Sequence, residues 1–317
     1  MTPERQAGPD RLRVRTPLLD VEVQRWGAPD ARPVLLLHGW PDSALTWSSL
    51  APVLAADGWS AIVPSLRGYA GTRFLDPATP RSGQLSALAR DALDLADAMG
   101  LEHFAVVGHD WGARAAYILA CLWPERVAAC AAMSVGWGTN NAAQPLSMKQ
   151  ASNYWYHWFM HTQRGREAVH SRRRELTQFL WRQWSPGWRF TQAEFDATAV
   201  AFENPDWADV VVHSYTHRWA GAVGDPAYDA LEERLAKPAP IRVPTLLIHG
   251  ADDGVNDPAS SEGKESMFSG RYRRILLPAA GHFPQREQPE AVNREVSAFL
   301  RAEAATSGLN SGGTRIR

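Results

Sequence analysis

Asp110 is the residue in this 317-residue chain whose surroundings point most clearly to chemistry. Gly108 and Gly112 lie two residues before it and two residues after it, and a run of apolar residues ends at Val107. A sharp turn from a strand into a helix strains the backbone of its central residue, so the neighbours two positions away must be almost free of side chain. The spacing predicts that Asp110 stands at such an elbow, where the usual nucleophile is a serine.

An elbow nucleophile needs an acid and a base, which follow later strands in the order nucleophile, acid, base. His282 comes shortly after the last predicted strand and is expected to be the base. Two carboxylates, Asp252 and Asp253, follow the predicted strand before that one. The spacing from Gly250 favours Asp253 as the acid, and Asp252 is the alternative.

A loop that follows an earlier predicted strand could stabilise developing negative charge. It reads His-Gly-Trp-Pro-Asp-Ser at 38–43. Its glycine allows a backbone N–H group to be aimed at an oxyanion. We expect the backbone N–H groups of Trp40 and Trp111, the residue after the nucleophile, to form the oxyanion hole.

A carboxylate nucleophile restricts the reaction. Attack on a carboxylic ester would form a high-energy anhydride, whereas attack on a saturated carbon displaces a leaving group and leaves an ordinary ester on the enzyme. His282 could then activate water against that ester while Asp253 stabilises the imidazolium. The substrate should therefore carry an electrophilic sp³ carbon, as epoxides and alkyl halides do. Epoxide opening releases a basic alkoxide and needs an acid such as a tyrosine phenol, whereas a halide needs only N–H or O–H donors.

These side chains must be positioned by a sheet, and the apolar pattern predicts one. Helical patterns separate apolar runs of strand length, which lie at 34–37, 61–63, 104–107, 127–135, 243–248 and 274–277. Helices are predicted at 86–99 and from 289 to about 303. Strands spaced by helices imply an α/β fold with a mostly parallel sheet that is flanked by helices.

The middle of the chain breaks this pattern. It has no strand-like run, and half of the 14 tryptophans lie between 150 and 220. An α-helical cap is expected there, over the carboxyl edge of the sheet, where open α/β sheets bind ligands. The predicted domains are a first part of the α/β core at 12–139, the cap at 140–238, a second part of the core at 239–304 and a disordered tail at 305–317.

Composition excludes several classes of function. With 33 Lys and Arg against 34 Asp and Glu, the chain lacks the basic surface that non-specific nucleic-acid binding needs. It has no apolar run of about 18 residues, and its two cysteines cannot form a disulfide framework; because no apolar stretch follows the first charged residues, we expect no secretory signal. We expect no membrane association, a cytoplasmic location and, since the histidines show no ligand spacing, no metal.

The motifs resemble those of the α/β-hydrolase superfamily over residues 12 to 304. Gly-His-Asp-Trp-Gly at 108–112, the 38–43 motif and Arg-Gly-Tyr-Ala-Gly-Thr at 67–72 resemble the epoxide hydrolase branch most, and fluoroacetate and haloalkane dehalogenases are close relatives. The resemblance implies Asp110 as nucleophile, His282 as base, Asp253 as acid and a helical cap.

The resemblance also implies leaving-group donors in the cap. Epoxide hydrolases usually have two cap tyrosines, and Tyr215 is similar to the second. Counting back from Gly165, His157 falls on the position of the first, with Tyr156 beside it. Some epoxide hydrolases have a histidine there, so the second donor is His157 or Tyr156.

The same segment keeps the dehalogenase alternative open. Fluoroacetate dehalogenases bind fluoride with a His-Trp pair and a cap tyrosine, which His157, Trp158 and Tyr215 match. They also bind the substrate carboxylate with two arginines, of which only Arg114 has a counterpart here, because Trp111 takes the place of the first.

The sequence therefore predicts a cofactor-independent hydrolase that opens an epoxide to a vicinal diol. A haloacid or haloalkane dehalogenase, an esterase or lactonase, and a non-catalytic ligand receptor with the same fold are the alternatives. Tryptophans of the cap, Trp219 among them, favour an apolar or aromatic small-molecule substrate. A homodimer is compatible with the sequence.

Overall fold

The computed structural model describes residues 8–138 and 145–306. Helices separate most of the strands along the chain. The strands are β1 (Asp10–Arg15), β2 (Leu19–Trp26), β3 (Arg32–Leu37), β4 (Trp59–Pro64), β5 (Arg73–Phe74), β6 (Phe104–His109), β7 (Val127–Met133), β8 (Thr245–Gly250) and β9 (Tyr272–Leu277).

The helices fall into two groups, those against the sheet and those between β7 and β8. The first group is α1 (Leu50–Ala56), α2 (Leu85–Ala98), α3 (Trp111–Leu122), α11 (Pro284–Glu287) and α12 (Pro289–Thr306). The second is α4 (Met148–Asn153), α5 (Trp155–Met160), α6 (Gln163–Ser171), α7 (Arg173–Trp184), α8 (Gln192–Ala199), α9 (Trp207–His217) and α10 (Asp229–Ala236).

The strands form one sheet in the order β1-β2-β4-β3-β6-β7-β8-β9, and β5 pairs with β2. The pairs from β4 through β3, β6, β7 and β8 to β9 are parallel, whereas β2 pairs with its neighbours in the antiparallel sense. Strands β4, β6 and β8 are buried along their whole length, which explains their continuous apolar sequences. The predicted α/β fold, with a mostly parallel sheet flanked by helices, is confirmed.

The core has one apolar cluster on each face of the sheet. Leu50 and Leu54 of α1 and Val296 of α12 belong to one cluster. Helices α2 and α3 cover the other face, and their cluster continues into the α5–α9 segment through residues such as Trp181 and Trp207. The helices between β7 and β8 are thus anchored on the α3 side, over the end of the sheet where β6 finishes.

Not every sequence expectation falls within the described residues. The predicted core–cap boundary at 139/140 lies outside them, and so does the tail from residue 307 onward. Helix α12 continues to Thr306, two residues into the predicted tail. Strand β1 was not predicted, because its alternating charged residues at an exposed edge leave no apolar run. Among the described helices, none combines the length and apolar character that a membrane span requires.

Candidate active site

The elbow between β6 and α3 places Asp110 at the carboxyl end of the sheet. Its backbone has φ 51° and ψ −112°, in a region that residues with a side chain rarely occupy. A Cβ atom on Gly108 would lie 2.1 Å from the carbonyl oxygen of Gly112, and one on Gly112 would lie 2.0 Å from that of Leu37. Both glycines are therefore required for the tight approach of helix α3 to strands β6 and β3.

His282 and Asp253 reach the same point from the ends of β9 and β8. Nδ1 of His282 is 2.9 Å from Oδ2 of Asp253, and Nε2 of the same ring is 3.6 Å from Oδ2 of Asp110. All three side chains are buried. Asp252 is exposed and its backbone N–H donates to the Ala280 carbonyl, so Asp253, and not Asp252, contacts the histidine.

Asp110 is held by the backbone of the loop after β3. The N–H of Trp40 donates to Oδ1 of Asp110 at 3.0 Å. Trp111 is the first residue of α3, so its backbone N–H has no acceptor within the helix. One carboxylate oxygen of Asp110 thus receives a backbone hydrogen bond, while the other lies next to His282.

The charges in this cluster depend on one another. Burial would raise the pKa of Asp253, but the charge and hydrogen bonds of His282 and His249 outweigh burial and hold that pKa well below its usual range. Burial would likewise lower the pKa of His282, but Asp253 and Asp110 raise it to about 10. The pKa of Asp110 is lowered despite burial, mainly by its interaction with His282. At neutral pH the cluster is an imidazolium between two carboxylates.

Two cap side chains approach the nucleophile from above. The ring of Tyr215, on α9, stacks edge-on against Trp40 at 4.9 Å, and its hydroxyl accepts a hydrogen bond of 3.1 Å from the indole N–H of Trp111. The ring of Tyr156, on α5, lies 5.5 Å from Trp40 and 5.2 Å from Tyr215. Burial raises the pKa of both phenols well above 10, and the charge of Asp110 raises it further. Both tyrosines are therefore protonated donors near Asp110.

His157 is a third polar group beside Tyr215. Its ring centroid lies 4.5 Å from that of Tyr215, and its Nδ1 accepts a hydrogen bond of 3.0 Å from the indole N–H of Trp219. Burial lowers the pKa of His157 well below 6.5, and the charges of Arg218 and Arg114 lower it further. The imidazole is therefore neutral at working pH. The structure brings both His157 and Tyr156 to Tyr215.

A family model described as the α/β hydrolase fold matches residues 32–289 of this chain. The chain belongs to the α/β-hydrolase family. The crystal structure of a candidate epoxide hydrolase from Klebsiella pneumoniae superposes with a TM-score of 0.85 at 36% identity and covers 93% of this chain and 97% of that one. An epoxide hydrolase from Caballeronia sordidicola is 28% identical over 95% of this chain and 96% of its own length. Epoxide hydrolase A from Mycobacterium tuberculosis is 26% identical over 88% and 94%.

These similarities show that this hydrolase is an epoxide hydrolase-like enzyme. Two other predicted site residues of the hydrolase have different surroundings. The indole N–H of Trp158 donates to the Ala151 carbonyl at 3.1 Å, and the side chain is 39% exposed. Trp158 is thus not brought together with His157 and Tyr215 as a halide donor. Trp219 is partly buried and uses its N–H on His157, so that N–H is not available to a substrate.

Arg114 lies one helical turn after the nucleophile of the hydrolase. Its backbone N–H donates to the Asp110 carbonyl at 3.0 Å, and its side chain is buried. A second arginine, Arg218, was not singled out in the sequence. It follows α9, its guanidinium lies 4.8 Å from the Tyr215 ring, and its pKa is lowered by burial and by Arg114. The charge of Arg218 thus helps to lower the pKa of Asp110, and Arg114 lies close enough to Arg218 to lower the pKa of that guanidinium.

Several residues that hold Asp253 and His282 in place were also not predicted from the sequence. Nε2 of His249 lies 3.3 Å from Oδ2 of Asp253, whose Oδ1 accepts the N–H groups of Val255 and Asn256 at 2.7 and 3.0 Å. The Ser134 hydroxyl donates to the His282 carbonyl at 2.8 Å. Of these supporting residues, only His249 had a signal in the sequence, because it directly follows a predicted apolar strand. Within the described residues, His, Cys, Asp and Glu side chains form no cluster that could hold a metal ion.

Proposed function

We propose that this hydrolase opens an epoxide to a vicinal diol through a covalent ester on Asp110. The observation that carries the proposal is the position of Asp110 at the elbow, with His282 beside it and the Tyr215 phenol hydrogen-bonded to the indole of the next residue, Trp111. A carboxylate there suits attack on a saturated carbon, and a protonated phenol suits a basic oxygen leaving group. The epoxide hydrolase-like relatives agree with this assignment.

The first step is alkylation of the enzyme. Oδ2 of Asp110 attacks an epoxide carbon, the bond between that carbon and the ring oxygen breaks, and the oxygen takes a proton from Tyr215. The product is a hydroxyalkyl ester, and solvent reprotonates the phenolate. Oδ2 is the attacking atom in this scheme because Oδ1 is held by the Trp40 N–H.

The second step is hydrolysis of that ester. Esterification removes the negative charge of Asp110, which is one of the two charges that raise the pKa of His282. The imidazolium becomes more acidic, loses its proton to solvent and can then act as the base for water, while Asp253 stabilises the imidazolium that forms again. Water attacks Cγ of Asp110, and the oxyanion develops on Oδ1, next to the N–H groups of Trp40 and Trp111. The bond between Cγ and Oδ2 then breaks, the departing alkoxide takes the proton that His282 received from water, and the new carboxylic acid gives its proton to His282, which restores the carboxylate and the imidazolium.

A haloacid dehalogenase is the second candidate, because Arg218 brings positive charge close to Asp110 and Arg114 lies near Arg218. Their guanidinium groups could bind the carboxylate of a haloacid, and Tyr215 and His157 could bind a halide. The position of the Trp158 indole speaks against this reading, because one of the three expected halide donors is directed elsewhere.

Product analysis separates these reactions. Purified enzyme is incubated with an aryl epoxide and, separately, with fluoroacetate, and diol and fluoride are measured. The proposal predicts diol formation that the Asp110→Asn variant lacks. Fluoride release without diol formation would assign the enzyme to the dehalogenases, and a ligand response that survives Asp110→Ala would indicate a receptor. The apolar or aromatic nature of the substrate, the cytoplasmic location and a homodimer remain predictions.

A further inference from the structure

The hydrogen bond between Trp219 and His157 fixes the tautomer of the His157 ring as well as its position. An indole N–H can only donate, so Nδ1 of His157 must be the unprotonated acceptor in this 3.0 Å contact. A neutral imidazole carries a single N–H, and burial together with Arg218, Arg114 and His161 keeps this ring neutral. The hydrogen is therefore on Nε2.

Nε2 of His157 has no hydrogen-bond partner among the described residues, although His157 is 1% exposed. A buried donor without a partner is costly, and such groups in native proteins call for an explanation. The ring cannot turn easily to relieve this cost, because it lies between Tyr154 and Tyr215, with centroids 4.3 and 4.5 Å away. Tyr154 is itself held by Asn256, whose Oδ1 accepts its hydroxyl at 2.7 Å.

Tyr215 presents a donor in a comparable way. The Trp111 indole N–H occupies an acceptor position of its hydroxyl oxygen, and the hydroxyl hydrogen remains to be donated. His157 and Tyr215 are thus neighbouring donors, each with an indole N–H bound to its acceptor atom.

From these contacts we infer that Trp219 is a positioning residue, which fixes the Nε2–H tautomer of His157 so that this group and the Tyr215 hydroxyl together bind the leaving oxygen. The inference rests on the proposed ring-opening reaction, but the tautomer itself does not. Trp219 acts through His157 and does not touch the reacting atoms. His157, rather than Tyr156, is then the second donor, because Nε2 of His157 is a buried donor left without a partner among the described residues.

The tautomer is tested by ¹⁵N NMR of the full-length protein labelled at histidine, with His157 assigned by the signals lost in His157→Gln. The expected spectrum at pH 7 has a protonated Nε2 and an unprotonated Nδ1. In Trp219→Phe, which removes only the N–H and part of the ring, both ¹⁵N signals should move toward the average of the two tautomers. A proton on Nδ1 in the wild type, or unchanged signals in Trp219→Phe, would overturn the inference.

The matched control is Trp155→Phe. Trp155 lies on the same helix as His157, but its indole N–H donates to Gln183 at 2.9 Å. The His157 signals should be the same in this variant as in the wild type. If both variants shift them equally, the change reflects general loosening of the cap, and the specific role of Trp219 is rejected.

A double-mutant cycle tests the role in the reaction. The rate of alkylation is measured in single-turnover experiments with excess enzyme. Trp219→Phe should slow alkylation roughly 3- to 10-fold, the range for one neutral hydrogen bond, and leave ester hydrolysis unchanged. His157→Phe should slow it more, and Trp219→Phe should add nothing in the His157→Phe background.

Additive effects in this cycle, or a slower hydrolysis step, would contradict the inference. If no epoxide reacts at all, the proposed function fails, whereas the NMR result still decides the tautomer. The two failures are therefore distinguishable.

Discussion

The backbone N–H of Trp40 donates a 3.0 Å hydrogen bond to Oδ1 of Asp110, although the two residues are 70 positions apart in the chain. The bond leaves Oδ2 as the oxygen that faces His282 at 3.6 Å. The two oxygens of one carboxylate thus have different surroundings before any substrate binds. Attack by Oδ2 would leave the ester carbonyl oxygen already in contact with an oxyanion donor.

Gly39 controls this contact, because a Cβ atom there would lie 2.5 Å from Cβ of Asp110 and 2.6 Å from the His109 carbonyl oxygen. We expect Gly39→Ala to displace the nucleophile and lower kcat by at least about 10²-fold, as misplacement by about 1 Å can do. Steady-state kinetics checks this. Gly187→Ala is the control, since a Cβ atom at Gly187 would have no neighbour within 4 Å. Equal activity of the two variants would contradict the prediction.

His282→Gln should separate the two steps. Alkylation needs only Asp110 and the leaving-group donors, whereas hydrolysis needs the base. An ester on Asp110 should therefore accumulate after addition of an epoxide, and intact mass spectrometry should show the added mass of one substrate. If the variant is inactive and no adduct appears, His282 is not the base of the hydrolysis step.

Tyr215→Phe should slow alkylation by roughly 10²–10⁴-fold, the range for loss of a general acid. The change removes one hydroxyl group and keeps the ring that packs against Trp40. Single-turnover kinetics measures the effect. Tyr117→Phe is the control, since Tyr117 is equally buried but donates to the Val135 carbonyl at 3.1 Å, away from the site. A rate within about threefold of the wild type would remove Tyr215 from this role.

The raised pKa of His282 predicts a dependence of stability on pH. The folded protein holds this proton up to a pKa of about 10, whereas the unfolded chain releases it near 6.5. The stabilisation is fully present below pH 6.5 and is lost as the pH rises toward 10, by at most about 1.4 kcal/mol per pH unit.

Urea unfolding of the wild type and His282→Gln at several pH values checks this. The difference between their free energies of unfolding should shrink between pH 6.5 and 10. The buried histidines with a lowered pKa, His38, His109 and His157, titrate below this window and are shared by both proteins. A difference that stays constant or grows over this range would show that His282 is not stabilised as an imidazolium.

The parts of the site that depend on short motifs could be predicted from the sequence. The elbow glycines, Asp110 and His282 are tied to strand ends, and the order of strands in a parallel sheet brings those ends together. The choice between Asp253 and Asp252 followed from one spacing, and the structure places Asp253 against His282. The backbone geometry of the elbow and of the strand ends thus made these residues predictable from short sequence motifs.

The cap could not be predicted to the same extent. The helices were expected, but the direction of each side chain depends on packing between segments far apart in the chain. From the sequence, Trp158 and Trp219 were equally good candidates for the site. Only the structure shows that the indole N–H of Trp158 donates to a backbone carbonyl and that of Trp219 to His157. Arg218 was missed because no local pattern distinguishes it from an ordinary surface residue, and His249 was missed although it directly follows a predicted apolar strand.

Isotope labelling tests the covalent role of Asp110 most directly. A single turnover of an aryl epoxide is run in ¹⁸O-water with excess enzyme, and both the diol and the peptide that contains Asp110 are analysed by mass spectrometry. We expect one ¹⁸O atom in the Asp110 carboxylate and an unlabelled diol, because water attacks the ester carbonyl. A labelled diol with an unlabelled protein would show direct attack of water on the substrate and would rule out a covalent ester on Asp110.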